Sequence, residues 1–171
     1  ALVARPLVEV VAHPRLAAQH RLNAGIIKEQ LNTGRPIVMD CCPLLGVLSL
    51  SAIFASDRVL IPVSADYLSL QGVHRINAAL DVLQRKLGRT FVRRVVVTRY
   101  DARRKLSFRI YREVQETFGP IVCETRIHES VSLAESPMHA KDIFAFAPSS
   151  QGATDYRMLR EELDSTGFLA P

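Results

Sequence analysis

Asp40 is the residue in this chain whose type and position are most suited to chemistry. It directly follows the apolar run Ile37–Met39 and precedes a turn that contains Pro43 and Gly46. A continuous apolar run is typical of a strand buried on both faces of a parallel sheet, so the acid is predicted at the carboxyl edge of that sheet. Ligands bind at this edge, and a carboxylate is an oxygen ligand that Mg²⁺ prefers. The competing interpretation is that Asp40 caps a helix that begins near Leu44.

The elements that position Asp40 alternate between strand and helix. Apolar residues at spacings of three and four predict a long helix over Leu68–Leu87. Ser107 is expected to cap the next helix, which Gly119 and Pro120 end. The alternation predicts an α/β fold with a mostly parallel sheet flanked by helices on both faces, and we expect one domain over residues 1–171. The expected strands are Val8–Val11, Ile37–Met39, Val59–Val63, Val92–Thr98 and Ile121–Cys123, and the other expected helices are Arg15–Leu31, Leu44–Phe54, one with Ile110, Val114 and Phe118 on its apolar face, and Ala153–Leu163.

Composition indicates an ordinary globular domain. The 171 residues are 48% hydrophobic and 23% charged, which is enough to bury one compact core. No run of 18 apolar residues and no secretory signal are found, so we expect a cytoplasmic protein without a membrane segment. Three cysteines, two of them adjacent at Cys41 and Cys42, fit neither a disulfide framework nor a metal site. The serines lack an elbow motif or a partner histidine, which argues against nucleophilic catalysis.

Four segments in chain order carry a resemblance to a known family. They are PIVMDCCPLLGVLSLS at 36–51, DRVLIPVSADYLSLQGV at 57–73, VVVTRYDARRKLS at 95–107 and RIHESVSLAESPMHAKDIFAFAPSSQGATDY at 126–156. Their order and spacing resemble the carboxyl-terminal two-thirds of the ParA/MinD family of partition and cell-positioning ATPases. The resemblance implies a P-loop NTPase-like fold. For a complete member it also implies ATP and Mg²⁺ as cofactors, a homodimer that binds DNA non-specifically and associates with the nucleoid, and stimulation by a ParB-like partner.

The resemblance assigns roles around Asp40. Asp40 matches the acid of the family pattern hhhhDxPP, which holds the magnesium ion through a water. Cys42 stands at the first proline of that pattern, and Pro43 keeps the second. The loop from Pro43 to Gly46 resembles the switch that senses the γ-phosphate. For Gly46 the alternative is a simple tight turn.

The resemblance also implies two groups beside the nucleotide base. Thr98 and Arg99 belong to the segment that reaches the base, where Arg99 would stack on adenine; the alternative is a solvated arginine at a strand end. His128 stands where the family has the proline of an I-P-R-N turn beside the base. Glu129 replaces the arginine of that turn, so this sequence differs from partition members at a position to which DNA contact is assigned.

One segment of the chain is strongly basic. The whole chain has a net charge of +5, whereas Arg85 to Arg112 contains eleven basic residues and one acid, Asp101. Clustered positive charge is what phosphate contacts require, so this segment is predicted to bind DNA without sequence specificity. The alternative is a solvated surface whose arginines pair with nearby acids. The best candidates lie in a loop and the first turn of a helix, where the helix dipole also favours phosphate: Arg103, Arg104, Lys105 and Arg109.

The 171 residues contain no phosphate-binding glycine loop of the GxxxxGK[ST] or KGGxGK type. By comparison with the family we therefore expect a preceding segment of about 70 to 90 residues, the size of a βαβ unit, and this chain alone is expected to be inactive.

The ending DYRMLREELDSTGFLAP is acidic and lacks a long apolar face, which favours the partition branch over the membrane-binding MinD branch. The alternatives are a non-catalytic family member that serves as a binding or regulatory module, and a relative that positions another cellular cargo.

Overall fold

The computed structural model describes residues 8–12, 37–41 and 46–169. The strands are β1 (Val8–Ala12), β2 (Ile37–Cys41), β3 (Arg58–Ser64), β4 (Val92–Tyr100) and β5 (Val122–His128), and the helices are α1 (Val47–Ala55), α2 (Tyr67–Leu87), α3 (Lys105–Phe118), α4 (Val131–Glu135), α5 (Ile143–Phe146) and α6 (Gln151–Ser165). Short 3₁₀ turns lie at Gly119–Ile121 and Ser136–His139. The predicted helix over Arg15–Leu31 falls outside the described residues.

The strands form one sheet in the order β2-β1-β3-β4-β5. Strands β3, β4 and β5 pair in parallel, whereas β1 pairs antiparallel with both β2 and β3. Four of the five strands therefore run in one direction. The predicted mostly parallel sheet is confirmed, with β1 as the reversed strand.

Side chains of β3 and β4 alternate between two cores, one on each face of the sheet. Val59, Ile61 and Val63 are fully buried in the first core with residues of α1, α2 and α3. Leu60 and Val96 point the other way and pack with residues of α6, including Leu159 and Leu163. Successive side chains of these strands are buried on opposite faces, which is the pattern of a sheet covered by helices on both faces, as predicted.

The prediction that β2 is buried on both faces is wrong. Val38 is 61% exposed and Asp40 is also exposed, because β2 is the edge strand of the described sheet. An edge strand lacks a neighbour on one side, so its side chains have fewer contacts than those of a central strand. An apolar run in the sequence does not reveal the place of its strand in the sheet.

The helix stripes agree more closely with expectation. Leu70, Val73, Ile76 and Leu80 of α2 are buried, while Leu87 at the end of that stripe is 37% exposed. α1 begins at Val47, three residues later than predicted.

The predicted cap of α3 is wrong. Ser107 lies in the first turn of the helix and is buried, and Arg104 is the residue at the N-cap position. The Ser107 hydroxyl accepts a hydrogen bond from the Asp101 amide at 3.4 Å. The predicted end of α3 at Gly119 is confirmed, since Gly119 has a φ of 55° and its amide donates to the Gln115 carbonyl.

Candidate functional site

The carboxyl edge of the parallel strands brings together three residues that the sequence singled out. Thr98 lies opposite Ser64, and His128 lies opposite Tyr100. The pairing continues past the strand ends, because the Ala65 amide donates to the Thr98 carbonyl and the Glu129 amide donates to the Tyr100 carbonyl, each at 2.9 Å. Thr98, Arg99 and His128 therefore share one edge of the sheet.

Arg99 has an unusual backbone. Its φ is 51°, in the left-handed region, and the pairing of β4 with β5 is irregular between Val97 and Tyr100. The Arg99 guanidinium is about half exposed and forms an ion pair with Glu129 at 3.1 Å. Arg104 approaches the same carboxylate at 3.9 Å. Glu129, which replaces the family arginine, thus links the end of β4 to the start of α3.

His128 is held by a buried acid on α6. The Asp155 carboxylate accepts hydrogen bonds from the His128 amide at 2.8 Å and from the Gln151 side chain at 2.7 Å, and lies 3.0 Å from His128 Nδ1. The imidazole also packs edge-on against Tyr100, with ring centroids 5.5 Å apart. Because an ionised carboxylate only accepts hydrogen bonds, Nδ1 is the donor. In the neutral ring Nε2 is then left as an acceptor.

Sequence reasoning missed Asp155, and one signal could have found it. Asp155 occupies the same helical stripe as Leu159 and Leu163, which are buried against the sheet. Its own exposure is only 2%. An acid at a buried stripe position needs hydrogen-bond donors, so the pattern itself indicates a polar partner on the facing strand.

Asp40 lies apart from the Thr98 and His128 pair. It is the fourth residue of β2 and is opposite Glu9 of β1, which in turn is opposite Leu60 of β3. That row is four residues before the Ser64 end of β3, or about 13 Å along the strand. Three strand spacings, about 14 Å, also separate β2 from β4. The structure therefore does not bring Asp40 next to Thr98.

The chemistry of Asp40 fits a magnesium ion bound through water. Its carboxylate is exposed, so both oxygens can accept from solvent or from water on a hard cation. Gly46 is the N-cap of α1 with a φ of −92°, and a Cβ there would meet nothing within 4 Å. Its backbone therefore does not require glycine. Pro43 lies outside the described residues.

Three of the eleven basic residues hold the fold together. The Arg89 guanidinium donates to the carbonyls of Ile53, Phe54 and Ser56 at 2.8 to 3.0 Å, which caps the end of α1. Burial lowers the pKa of Arg89, although the charge of Asp57 acts in the opposite direction. Arg93 is nearly buried and pairs with Asp81 at 2.7 Å, and Arg94 donates to the Pro120 carbonyl at 2.7 Å. The basic segment is thus not one continuous surface.

The remaining cations include a group at the start of α3 that we call the α3 basic surface: Arg103, Arg104, Lys105, Arg109 and Arg112. Asp101 accepts from the Arg103 amide and Nε at 3.0 Å and pairs with Arg104 at 3.3 Å. The side-chain hydrogen bond from Arg103 holds the pKa of Asp101 below its usual range.

Two members of the α3 basic surface have no acidic partner. Lys105 and Arg109 are exposed, and no ion pair involves them anywhere in the described residues. Arg112, by contrast, pairs with Glu116 at 3.0 Å. Lys105 and Arg109 are therefore the cations of this surface most available to a ligand.

The described residues hold neither a metal cluster nor a membrane span. No group of three or more His, Cys, Asp or Glu residues within ranges 8–12, 37–41 and 46–169 could hold a metal ion. None of the helices in those ranges has both the length and the apolar character needed to cross a bilayer.

Comparison with known proteins agrees with this architecture. Residues 15–92 match a family model described as an AAA domain. The chain is 32% identical over 160 residues to the sporulation initiation inhibitor protein Soj of Bacillus subtilis, covering 93% of this chain and 63% of that protein. It is 37% identical over 128 residues to the chromosome-partitioning ATPase Soj of Thermus thermophilus, covering 74% of this chain and 51% of that protein. The chromosome partitioning protein ParA of Myxococcus xanthus is 31% identical over 128 residues, which is 74% of this chain and 45% of that protein.

The sheet, its two layers of helices and these matches define an α/β domain of the P-loop NTPase-like class. The domain match and the similarity to Soj and ParA proteins support a ParA/MinD-like family member. It spans between 45% and 63% of the length of the three relatives named above.

Proposed function

We propose that the protein acts as a ParA-like ATPase of chromosome or plasmid partition, with this chain folding as one α/β domain. The observation that carries the proposal is the similarity over 93% of the chain to the Soj protein of Bacillus subtilis, together with similarity to a chromosome-partitioning ATPase and to a chromosome partitioning protein. The proposal includes an ATP-dependent homodimer, non-specific DNA binding, stimulation by a ParB-like protein and association with the nucleoid.

The nucleotide part of the proposal uses Asp40 near the end of β2 and, apart from it, the residues at the carboxyl edge of β4 and β5. Asp40 would hold Mg²⁺ through a water, and the loop from Pro43 to Gly46 would respond to the γ-phosphate. Mg²⁺, when bound, neutralises the charge that develops on transferring phosphate oxygens. Arg99 and His128 would lie beside the base with Thr98. The His128 imidazole is supported for this role by Asp155, which fixes which ring nitrogen donates.

ATP binding is proposed only together with a glycine-rich phosphate loop. No such loop lies within the 171 residues, and the backbone amides of that loop are the principal phosphate ligands of P-loop proteins. Asp40, Arg99 and His128 can contribute metal and base contacts, which are weaker than a full phosphate cradle.

The DNA part of the proposal rests on the α3 basic surface. Exposed cations at Arg103, Lys105 and Arg109 can contact phosphates and release counterions. Arg103 and Arg104 already pair with Asp101, so they would exchange one anionic partner for another. Lys105 and Arg109 have no such partner to lose, and we expect them to contribute more affinity.

The double variant Lys105→Glu/Arg109→Glu tests this part. We expect it to weaken binding to duplex DNA of mixed sequence and to lower the slope of log affinity against log salt by about 0.9 for each phosphate that the variant no longer neutralises. The matched control is Arg85→Glu/Lys86→Glu, which makes the same charge change in the exposed last turn of α2. Equal weakening in both variants would indicate only a general effect of net charge, and unchanged binding by the first variant would refute the assignment.

A second candidate function is a non-catalytic binding or regulatory module of the same family. The intact mass of the protein from its own cells decides between the two. A mass above 19.0 kDa by roughly 8 to 10 kDa, the size of an added βαβ unit, favours the ATPase. A mass of 19.0 kDa favours the binding module.

A further inference from the structure

Phe108 is an exposed aromatic residue within the α3 basic surface. Its side chain is 53% exposed, and it lies in the second turn of α3. Ile110, Val114 and Phe118 form the buried stripe of the helix, and Phe108 is two residues from Ile110. One residue turns a helix by about 100°, so Phe108 lies to one side of the buried Ser107 and outside the buried stripe. Packing of the described core leaves about half of this side chain in contact with solvent.

Cations flank the ring along the helix. Arg104 is four residues before Phe108 and Arg112 is four residues after it, so the three occupy one face at intervals of about 6 Å. Lys105 lies on the same face, three residues before the ring. An apolar aromatic surface is thus placed between positive charges that can each meet a phosphate.

We propose that Phe108 and the cations around it form a binding site for single-stranded DNA, in which the ring stacks on an unpaired base. The inference rests on the DNA contact of the proposed function and adds the form of DNA that is preferred. In a duplex the base faces are covered by neighbouring bases, so an aromatic ring on a helix surface can gain little from them. In a single strand each base offers a free face, and stacking on an aromatic side chain adds to backbone contacts made by cations.

The positive charge around Phe108 favours nucleic acid as the ligand of this site. Lys105 and Arg109 flank Phe108 at i−3 and i+1 and have no acidic partner in the described chain. Glu113 and Glu116 line the same surface groove as Phe108, Arg109 and Arg112 on the carboxyl-terminal side of the ring, and Glu116 pairs with Arg112. The site is therefore most positive on the amino-terminal side of the ring. A strand is expected to extend from the ring towards Arg103 and Arg104.

The absence of tryptophan from the sequence allows a direct test. Phe108→Trp introduces a single indole at the proposed stacking position, and its emission should be quenched by a thymidine oligonucleotide. The matched control is Phe144→Trp. Phe144 is exposed on α5 and lies 5.2 Å from the Arg157 guanidinium, but it is outside the α3 basic surface. A base that stacks at position 108 quenches the first protein much more strongly than the second.

Affinity provides the second measurement. Phe108→Ala should weaken binding of the thymidine oligonucleotide by about 5- to 150-fold, the range that corresponds to a stacking free energy of ~1–3 kcal/mol. Binding of a duplex of the same length should change by less than about twofold. Circular dichroism of the variant should match that of the parent protein, because Phe108 is exposed.

The outcomes separate the inference from the function on which it rests. If Lys105→Glu/Arg109→Glu weakens duplex binding but Phe108→Ala does not weaken single-strand binding, the DNA surface is supported and the stacking site is refuted. Equal weakening for both forms of DNA overturns it as well. The stacking site is also refuted if anionic lipid vesicles quench the Phe108→Trp indole and the oligonucleotide does not. No binding of either DNA form by the parent protein overturns the DNA surface and the stacking site together.

Discussion

Asp155 and Glu162 lie two helical turns apart on α6, and both carboxylates accept hydrogen bonds from backbone amides of β5. Glu162 accepts from Glu124 at 2.7 Å and from Thr125 at 2.8 Å, and Asp155 accepts from His128 at 2.8 Å. β5 is an edge strand of the described sheet. Unpaired amides at an edge are a template for association with another strand, so the two acids satisfy these donors from within the same chain.

Replacement of Glu162 by Gln should lower the free energy of unfolding by about 1–3 kcal/mol, because hydrogen bonds that a carboxylate accepts are stronger than those of an amide. Urea unfolding measures the change. Glu161→Gln is the matched control, since Glu161 is the neighbouring exposed acid. A loss of stability that is as large for Glu161→Gln would contradict the edge role of Glu162. We also expect Glu162→Gln to associate more readily at high protein concentration.

Replacement of Asp155 by Asn should change the tautomer of His128. The side-chain amide that replaces the carboxylate offers one acceptor oxygen instead of two, so the His128 amide, its Nδ1 and the Gln151 side chain can no longer all be satisfied. We expect an increased population of the Nε2–H form and a loss of about 2–3 kcal/mol of stability, because a buried polar group loses a partner. Imidazole ¹⁵N chemical shifts report the tautomer directly. Shifts identical to those of the parent protein would show that Asp155 does not set it.

Asp101 should contribute stability that depends on pH. The hydrogen bond from Arg103 lowers the pKa of the folded-state carboxyl below its usual value of 3.8. The unfolded chain therefore takes up this proton at a higher pH than the folded chain, so the contribution is complete above the usual pKa and is lost as pH falls through the folded value. The stability difference between the parent protein and Asp101→Asn should accordingly be present at pH 7 and shrink below about pH 4. A difference that stays constant down to pH 2 would exclude ionisation as its source.

Arg89 should be needed for stability and dispensable for DNA binding. Arg89→Lys removes the guanidinium whose Nη2 reaches three carbonyls at the end of α1, and we expect a loss of about 2–4 kcal/mol in urea unfolding. Arg85→Lys, at an exposed position of α2, is the conservative control and should change stability by less than about 0.5 kcal/mol. If Arg89→Lys weakened DNA binding without destabilising the fold, the separation of structural from DNA-binding arginines would be wrong.

Asp40→Ala should abolish magnesium-dependent ATP turnover by the protein when a phosphate loop is present. Loss of the carboxylate removes the group that would hold Mg²⁺ through a water, so we expect a decrease of about 100-fold or more. Stability should be nearly unchanged, because the side chain is exposed. Asp164→Ala on α6 serves as the control. Turnover that is equal in Asp40→Ala and in the parent protein would remove Asp40 from the mechanism.

Local features of this fold could be predicted from the sequence, whereas features that depend on distant partners could not. Leu70, Val73, Ile76 and Leu80 were predicted on one helix face because their spacing alone defines the stripe, and all four are buried. The end of α3 followed from Gly119 in the same way. By contrast, the exposure of Val38 depends on which strands lie beside β2, and strand order is a long-range property.

The candidate site shows the same difference between local features and features that depend on distant partners. Thr98, Arg99 and His128 were expected beside one nucleotide base because of the resemblance to the family, and the structure has all three at the carboxyl edge of β4 and β5. The partners of these residues were not foreseen. Asp155 is 27 residues from His128 in the chain, and Glu129 is 30 residues from Arg99. No local pattern connects such pairs, so the sequence could not predict the hydrogen-bond and ion-pair partners of these residues.

The two cores on either side of the sheet imply an uneven resistance to local opening. Strands β3 and β4 contribute side chains to both cores, so their backbone amides are shielded from either side. α6 contacts one core only and is held to the edge strand by two carboxylates. Detachment of α6 would uncover Leu60 and Val96 while the other core stays packed, so this helix forms the lower-energy opening unit of the domain. Its amides should exchange with solvent before those of β3, with His128 released in the same event.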